Sequence, residues 1–490
     1  MTLKLAFLAL AVVFIAALAV ALVRSRLEKT KQAPSLISFL LGGRQLGKMS
    51  IVNLLLSSSF GLNAIFYAAW LGYSIGLWGV VIQAAWAVSF LLLIPYSNKL
   101  DTSNSLHDFL GHRFGNPTRK VAALCSLVGM MYLMGWEVGI GEASFQTFFA
   151  SSSDISTAEA LSYGNWFTLA VVVGTLLYTA LGGLQGNAAV DKLLNFLKVT
   201  ILIVVTILLL GSFHETPGRS FGQAVFPSWE TMVENLGVWG LITNIIFNLS
   251  WQFVDNSTWQ SLIAGSNTEV KATRWNLRMS AFAVFLTVGL FGTLLGVALA
   301  NTEGVTPDNL LALAVQSSPW AGALLTFAMF IVIVACMMSL LDGLLLASAL
   351  TIVVDLMRSS EGAAAESDKT SALFTTRIAL LIVAGLSIWG IRYILGLSGA
   401  SLFDFVYIVI ITQLALFGPV LLGLLTNREA PRPMWLAVVL ALIVGFGTIA
   451  IGTITETKFL LDGAGTFTIL ASVLVGLIIT YATKSSRTTL

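Results

Sequence analysis

Residues 49–71 read MSIVNLLLSSSFGLNAIFYAAWL, and residues 237–263 read GVWGLITNIIFNLSWQFVDNSTWQSLI. Both are long and apolar enough to cross a bilayer, for which roughly 20 mostly apolar residues suffice. Both are also interrupted near the middle. The first carries Ser57, Ser58, Ser59, Gly61 and Asn63; the second carries Asn248, Ser250, Gln252, Asp255, Asn256, Ser257, Thr258 and Gln260. Unwound backbone at membrane depth is tolerated only where it lines a cavity or is buried in protein. Polar packing between helices, or a loop in the second stretch, is the plainer account of each cluster. The two clusters lie five apolar runs apart, which favours matching broken helices in two inverted halves.

Outward from these stretches the chain is a series of apolar runs. Thirteen are read, near 4–23, 49–71, 76–97, 121–149, 164–182, 189–211, 237–263, 280–300, 319–357, 376–395, 401–425, 434–453 and 465–483. They are long and rich in Leu, Ala and Gly, which argues for helices over strands. The 490 residues are 57% hydrophobic and only 10% charged. Soluble proteins carry about 25% charged residues, so lipid must cover much of this surface. The reading is an all-α polytopic membrane protein of about 13 transmembrane helices. A net charge of +2 gives no electrostatic footprint for nucleic acid. Cys125 and Cys336 lie in apolar runs and read as buried thiols. His107, His112 and His214 fall in expected loops, which disfavours a histidine metal site, and no nucleophile–base set for an enzyme stands out.

Basic residues orient the runs. Arg24, Arg26, Lys29, Lys31, Arg44 and Lys48 lie between the first two; Lys99, Arg113, Arg119 and Lys120 lie between the third and fourth. Later loops on that side add Lys271, Arg274, Arg278, Arg358, Lys369, Arg377, Arg428 and Arg432, and the tail adds Lys484 and Arg487. The other side holds Lys4, Arg219, Arg392 and Lys458. The positive-inside rule then places the N-terminus outside and the C-terminus in the cytoplasm of a multi-pass cell-membrane protein. The first run, followed at once by a basic segment, is expected to stay as an anchor and not to be cleaved as a signal peptide. Residues 358–376, rich in Ser, Ala and Glu, read as a linker.

A charge at the bilayer centre is costly and faces a cavity or a partner. Candidates are Glu137, Glu142, Asp191, Lys192, Asp255, Asp342 and Asp404. Asp191 and Lys192 stand near a cytoplasmic rim, where a solvated pair competes with a functional role. Glu137 and Glu142 are five apart and need not share a face, so either can be structural. Asp404 stands near a helix start, where capping is the cheaper explanation. Ser339 and Asp342 are three apart and share a helix face. Their oxygens suit a hard monovalent cation or an exchangeable proton.

Five segments together resemble the sodium/solute symporter family. They are Leu40–Gly47 (LLGGRQLG), Ser105–Gly115 (SLHDFLGHRFG), Tyr178–Leu184 (YTALGGL) with Asp191 after it, Gln252–Arg274, and Met338–Asp342 (MSLLD) running to Asp355–Arg358 (DLMR). The matches cover residues 38 to 425 in family order. The resemblance implies a LeuT-like 5+5 inverted repeat. Residues 1–30 would be an extra N-terminal helix, 38–211 the first repeat, 236–425 the second, and 434–483 two C-terminal helices. It further implies a sodium site between the first and eighth core helices, from carbonyls near Ser57 and Phe60, the carbonyl of Cys336 and the hydroxyl of Ser339. The family's second hydroxyl at the next position is Leu340 here. Some members have a second cation site, at positions matching Asp191 and Asp342.

The function so implied is sodium-coupled symport of a small organic solute, with a proton as the alternative coupling ion. A non-transporting sensor with the same fold is the competing reading. Its partners would be the lipid bilayer, the solute and the coupling cation, with no other cofactor. The solute is expected at midplane among Asn63, Tyr67, Trp70, Glu137, Trp251, Gln252, Asp255 and Tyr407, and the surplus of acidic residues there points to a cationic solute.

Overall fold

The computed structural model describes residues 2–29, 35–100, 103–150, 155–213, 220–267, 270–305, 309–316, 322–357, 369–390, 404–426 and 433–485. These residues are overwhelmingly helical, with no strand among them. The elements that build the bundle are α1 (Thr2–Lys29), α2 (Lys48–Ser59), α3 (Leu62–Ile75), α4 (Trp78–Leu92), α5 (Leu106–Phe114), α6 (Asn116–Ala150) and α7 (Thr157–Gly211). They continue as α8 (Gly237–Val254), α9 (Asn256–Ile263), α10 (Lys271–Ala298), α11 (Ala323–Leu350), α12 (Lys369–Gly385), α13 (Asp404–Leu414), α14 (Phe417–Leu425), α15 (Trp435–Ile454) and α16 (Lys458–Ser485). Among the described residues nine helical spans are long and apolar enough to cross a membrane, and two bent pairs raise this to eleven. Dividing α7 at its kink and counting α12 recovers the thirteen expected runs.

α7 is 55 residues long, about twice what a bilayer needs. It divides at Gly183, whose φ of 55° is open to glycine and strained for other residues. The expected gap at 183–188 is therefore one residue: helix resumes immediately after Gly183. A Cβ there would also meet the Phe39 carbonyl at 2.7 Å. Close approach recurs where α3 crosses α10. A Cβ on Gly72 would lie 1.9 Å from the Thr293 carbonyl, and one on Gly296 1.7 Å from that of Ala69. Small residues let membrane helices touch along their backbones, where dispersion and not water exclusion holds them together.

Apolar side chains cover the outside. Ile15, Phe196, Ile443 and Ile478 are each more than 60% exposed. In water such a surface would aggregate; against acyl chains it is the ordinary one. Together with the spans, it makes this a multi-pass membrane protein.

Where basic residues concentrate, a buried ionic cluster closes the bundle. Asp355, fully buried just beyond α11, accepts Ser105 Oγ at 2.8 Å, His107 Nδ1 at 3.0 Å and the Arg119 guanidinium at 3.1 Å. Arg119 also pairs with Asp108 at 3.2 Å. His107 and His112, expected in a loop, lie on α5, and His107 is fully buried because Asp355 offers it a partner. His214 lies outside the described residues. So do residues 358–368 of the expected linker, whose remainder, from Lys369, is helix.

Candidate functional site

The second apolar run is broken where its polar residues predicted. α2 ends at Ser59, Phe60 leaves helical geometry (φ −126°, ψ 56°), Gly61 is extended, and α3 departs at 62° to α2. A Cβ on Gly61 would sit 2.5 Å from the Leu340 side chain and 2.9 Å from Glu137 Oε2, so only glycine lets α11 and α6 approach so closely. The break exposes N–H groups at the start of α3 and carbonyls at the end of α2, and at this depth each needs a partner. Glu137, fully buried on α6, accepts Leu62 N at 2.7 Å and Asn63 N at 3.0 Å. Lys198, fully buried on α7, donates to Phe60 O at 2.8 Å and to the hydroxyl of Ser339 on α11. Its ammonium also lies 4.8 Å from the Phe60 ring centroid.

The seventh run breaks at Asp255. α8 ends there and α9 begins, with Asp255 extended between them (φ −74°, ψ 109°). Its carboxylate accepts Ser257 N at 3.3 Å, Thr258 N at 3.0 Å and both side-chain hydroxyls. Trp259 Nε1 donates back to the Phe253 carbonyl at 2.9 Å.

Between the breaks lies a cavity of about 140 Å³. It is lined by Ser58, Ser59, Asn63, Tyr67, Trp86, Trp136, Asn244, Phe247, Trp251, Asp255, Tyr407, Asp462 and Thr466, among others. Of the eight residues expected around a solute, Asn63, Tyr67, Trp251, Asp255 and Tyr407 line it. Trp70 does not: it is 37% exposed and stacked on Tyr73. Glu137 stands behind the break as a cap. Gln252 is buried, its Oε1 accepting the Thr258 hydroxyl.

The residues expected to hold sodium are brought together, but with Lys198 among them. Its Nζ bonds two of the expected ligand atoms, Phe60 O and Ser339 Oγ, where an ammonium competes with a metal cation for both space and charge. Ser57 Oγ donates to Asn195 Oδ1 at 3.1 Å, and the Cys336 carbonyl accepts the Ser339 hydroxyl at 3.3 Å. These positions do not fit a sodium ion while Lys198 holds them. Glu137, Asp191 and Asp342 all interact electrostatically with Lys198. Asp342 Oδ2 accepts the Tyr178 hydroxyl at 2.7 Å, and Tyr178 also donates to Met338 O at 3.1 Å. Oδ1 of Asp342 and Oδ1 of Asp191 are buried without a hydrogen-bond donor. Asp191 and Lys192 do not form a rim pair: Asp191 is buried and Lys192 exposed. Glu142 accepts Gln146 at 3.0 Å. The Asp404 side chain lies outside the described residues.

Lys198, Trp86, Trp136, Phe247, Asn244 and Asp462 were not singled out as site residues from sequence. A signal for Lys198 exists: it lies seven residues after Asp191, on the same face of an apolar helix, and a lysine at that depth demands an acid. Asp462 precedes the last apolar run and reads as a loop residue.

No protein-family model matches the chain, and no curated protein matches it in sequence. Among solved structures it resembles a Na+-coupled sialic acid symporter in a substrate-bound, outward-open state. That match has a TM-score of 0.71 at 14% identity and covers 97% of this chain and 96% of the other. It also resembles a manganese transporter of Eremococcus coleocola, with a TM-score of 0.56, 14% identity and 91% and 97% coverage. The chain thus has the fold of LeuT-type transporters.

Proposed function

We propose that this protein is a secondary transporter of a small organic solute in the cell membrane, with Lys198 serving as a tethered cation at the first core cation position. The observation that carries this is the bridge from Lys198 Nζ to Phe60 O and Ser339 Oγ. It ties the broken second span to α11, the two elements a bound sodium would join. A built-in cation needs no sodium gradient there. The surrounding acids outnumber the one ammonium, which leaves room for exchangeable protons, and Asp and Glu chains at membrane depth serve proton-driven carriers. The proton is therefore the coupling ion of choice. The N-terminus outside, the two inverted repeats at 38–211 and 236–425, and the bilayer as partner belong to the same reading.

A second reading puts sodium between Asp191 and Asp342, whose buried Oδ1 atoms lack donors and would gain from a cation. Thermal melting in sodium against potassium separates the two. The first reading expects no sodium response in the wild type and a gain of sodium stabilisation in Lys198→Met. A wild-type sodium shift kept in Lys198→Met and lost in Asp342→Asn supports the second. A wild-type shift abolished by Lys198→Met overturns the tethered cation.

A further inference from the structure

We propose that the central cavity takes a solute with a positively charged head, a small amine or quaternary ammonium compound; this rests on the transporter reading above.

Among the described residues no Lys, Arg or His lines the cavity. The two half-helix N-termini that face the breaks, natural receptors for an anion, are already closed from within. Glu137 takes Leu62 N and Asn63 N, and Asp255 takes Ser257 N and Thr258 N. An anionic solute would have to displace a carboxylate or place a second negative charge beside it, away from water.

What the cavity offers is the opposite charge and aromatic faces. Asp462, on α16, lines it half-buried and takes no hydrogen bond among the described residues, and the charge nearest it is that of Lys458, one turn before it on the same helix and outside the cavity lining. Its Oδ2 lies against Gly240 on α8. From Gly240 one stripe of α8 runs through Asn244 and Phe247 to Trp251, spaced to share a face. Phe247 and Trp251 pack edge to face at 5.4 Å, and Trp86 joins them at 6.5 and 6.0 Å. A cation within about 6 Å of such a ring face is attracted by its quadrupole. An acid at one end of an aromatic stripe recognises an ammonium by charge and by dispersion together. The volume of about 140 Å³ is close to the roughly 150 Å³ that admits benzene elsewhere.

The test uses the full chain in nanodiscs and three probes: choline, its uncharged isostere with carbon in place of nitrogen, and a branched carboxylate of the same size. Tryptophan fluorescence and melting temperature report binding. Choline is expected to bind, and the other two at least about tenfold more weakly. Asp462→Asn is expected to weaken choline about tenfold, melt like the wild type and leave the isostere unmoved. Equal binding of the isostere or carboxylate, or no binding of choline, overturns the proposal. The transporter reading is judged separately with Ser58→Cys on a background of Cys125→Ala and Cys336→Ala, labelled from each side of sealed vesicles. Labelling from both sides keeps that reading even where choline fails. Labelling from one side only sinks it, whatever binds.

Discussion

The two breaks in the membrane helices solve one problem in different ways. At the seventh span the solution is local. Asp255 satisfies N–H groups two and three residues on, and Trp259 reaches back six residues to the Phe253 carbonyl. At the second span it is remote. The N–H side is held by Glu137, 75 residues from Leu62, and the carbonyl side by Lys198, 138 residues from Phe60. A locally capped break travels as one piece with its own helix. A remotely capped break reports on α6, α7 and α11, because moving any of them strips a partner from buried backbone. The second span is thus the one whose geometry is tied to the charge state of the buried cluster, which is where the proposed transport role requires ion and solute to meet.

The largest effect expected from breaking this comparison is at Lys198. Lys198→Met keeps a similar stem and removes the ammonium, leaving Phe60 O, Ser339 and three neighbouring acids without it. Removing one partner of a buried charged group costs about 3–5 kcal/mol. The melting temperature should fall by several degrees, and solute flux should be lost. A variant that melts like the wild type would show that the remote cap carries no load.

Glu137 comes next. Glu137→Ala leaves the Leu62 and Asn63 N–H groups buried and unpaired, at about 1–3 kcal/mol each. Glu137→Gln retains one acceptor oxygen and should recover one of the two bonds, so its melting temperature should fall between alanine and wild type. Identical melting of the Gln and Ala variants would mean that the charge beside Lys198, and not the cap, is what Glu137 supplies.

How much of this was legible follows the same division. The broken spans could be read because polar residues inside a 20-residue apolar run have no other use. The Asp255 cap was written within a few residues of the break it serves. The fold followed from run count, run spacing and the ordered motifs. Lys198 was not legible as a site residue, because its function depends on Phe60 and Ser339, which fold beside it from two other helices. Asp462 was missed for a related reason. Its helix lies outside the expected ten-helix core, and only packing of α16 against α8 brings it to the cavity. Trp70 was misplaced because α3 is amphipathic in a way that sequence spacing alone does not orient: Asn63 and Tyr67 face inward, and Trp70 turns out toward Tyr73.

The smallest effect is expected at the local break, and it is the sharpest test of the comparison. Asp255→Ala removes an N-cap and should cost about 0.5–2 kcal/mol. Asp255→Asn keeps one side-chain oxygen, enough for Ser257 N or Thr258 N but not both, and asparagine caps helices about as well as aspartate. Because the donors come from the next turn of the same helix, the swap asks nothing of other elements, and Asp255→Asn should melt close to the wild type. The matching amide swap at Glu137 should not, since that carboxylate also faces Lys198 across the bundle. Comparing the two amide variants by melting temperature measures how far remoteness, and not capping alone, sets the cost. Equal losses at the two sites would show that both breaks depend on charge, and the division between a local and a remote solution would fail.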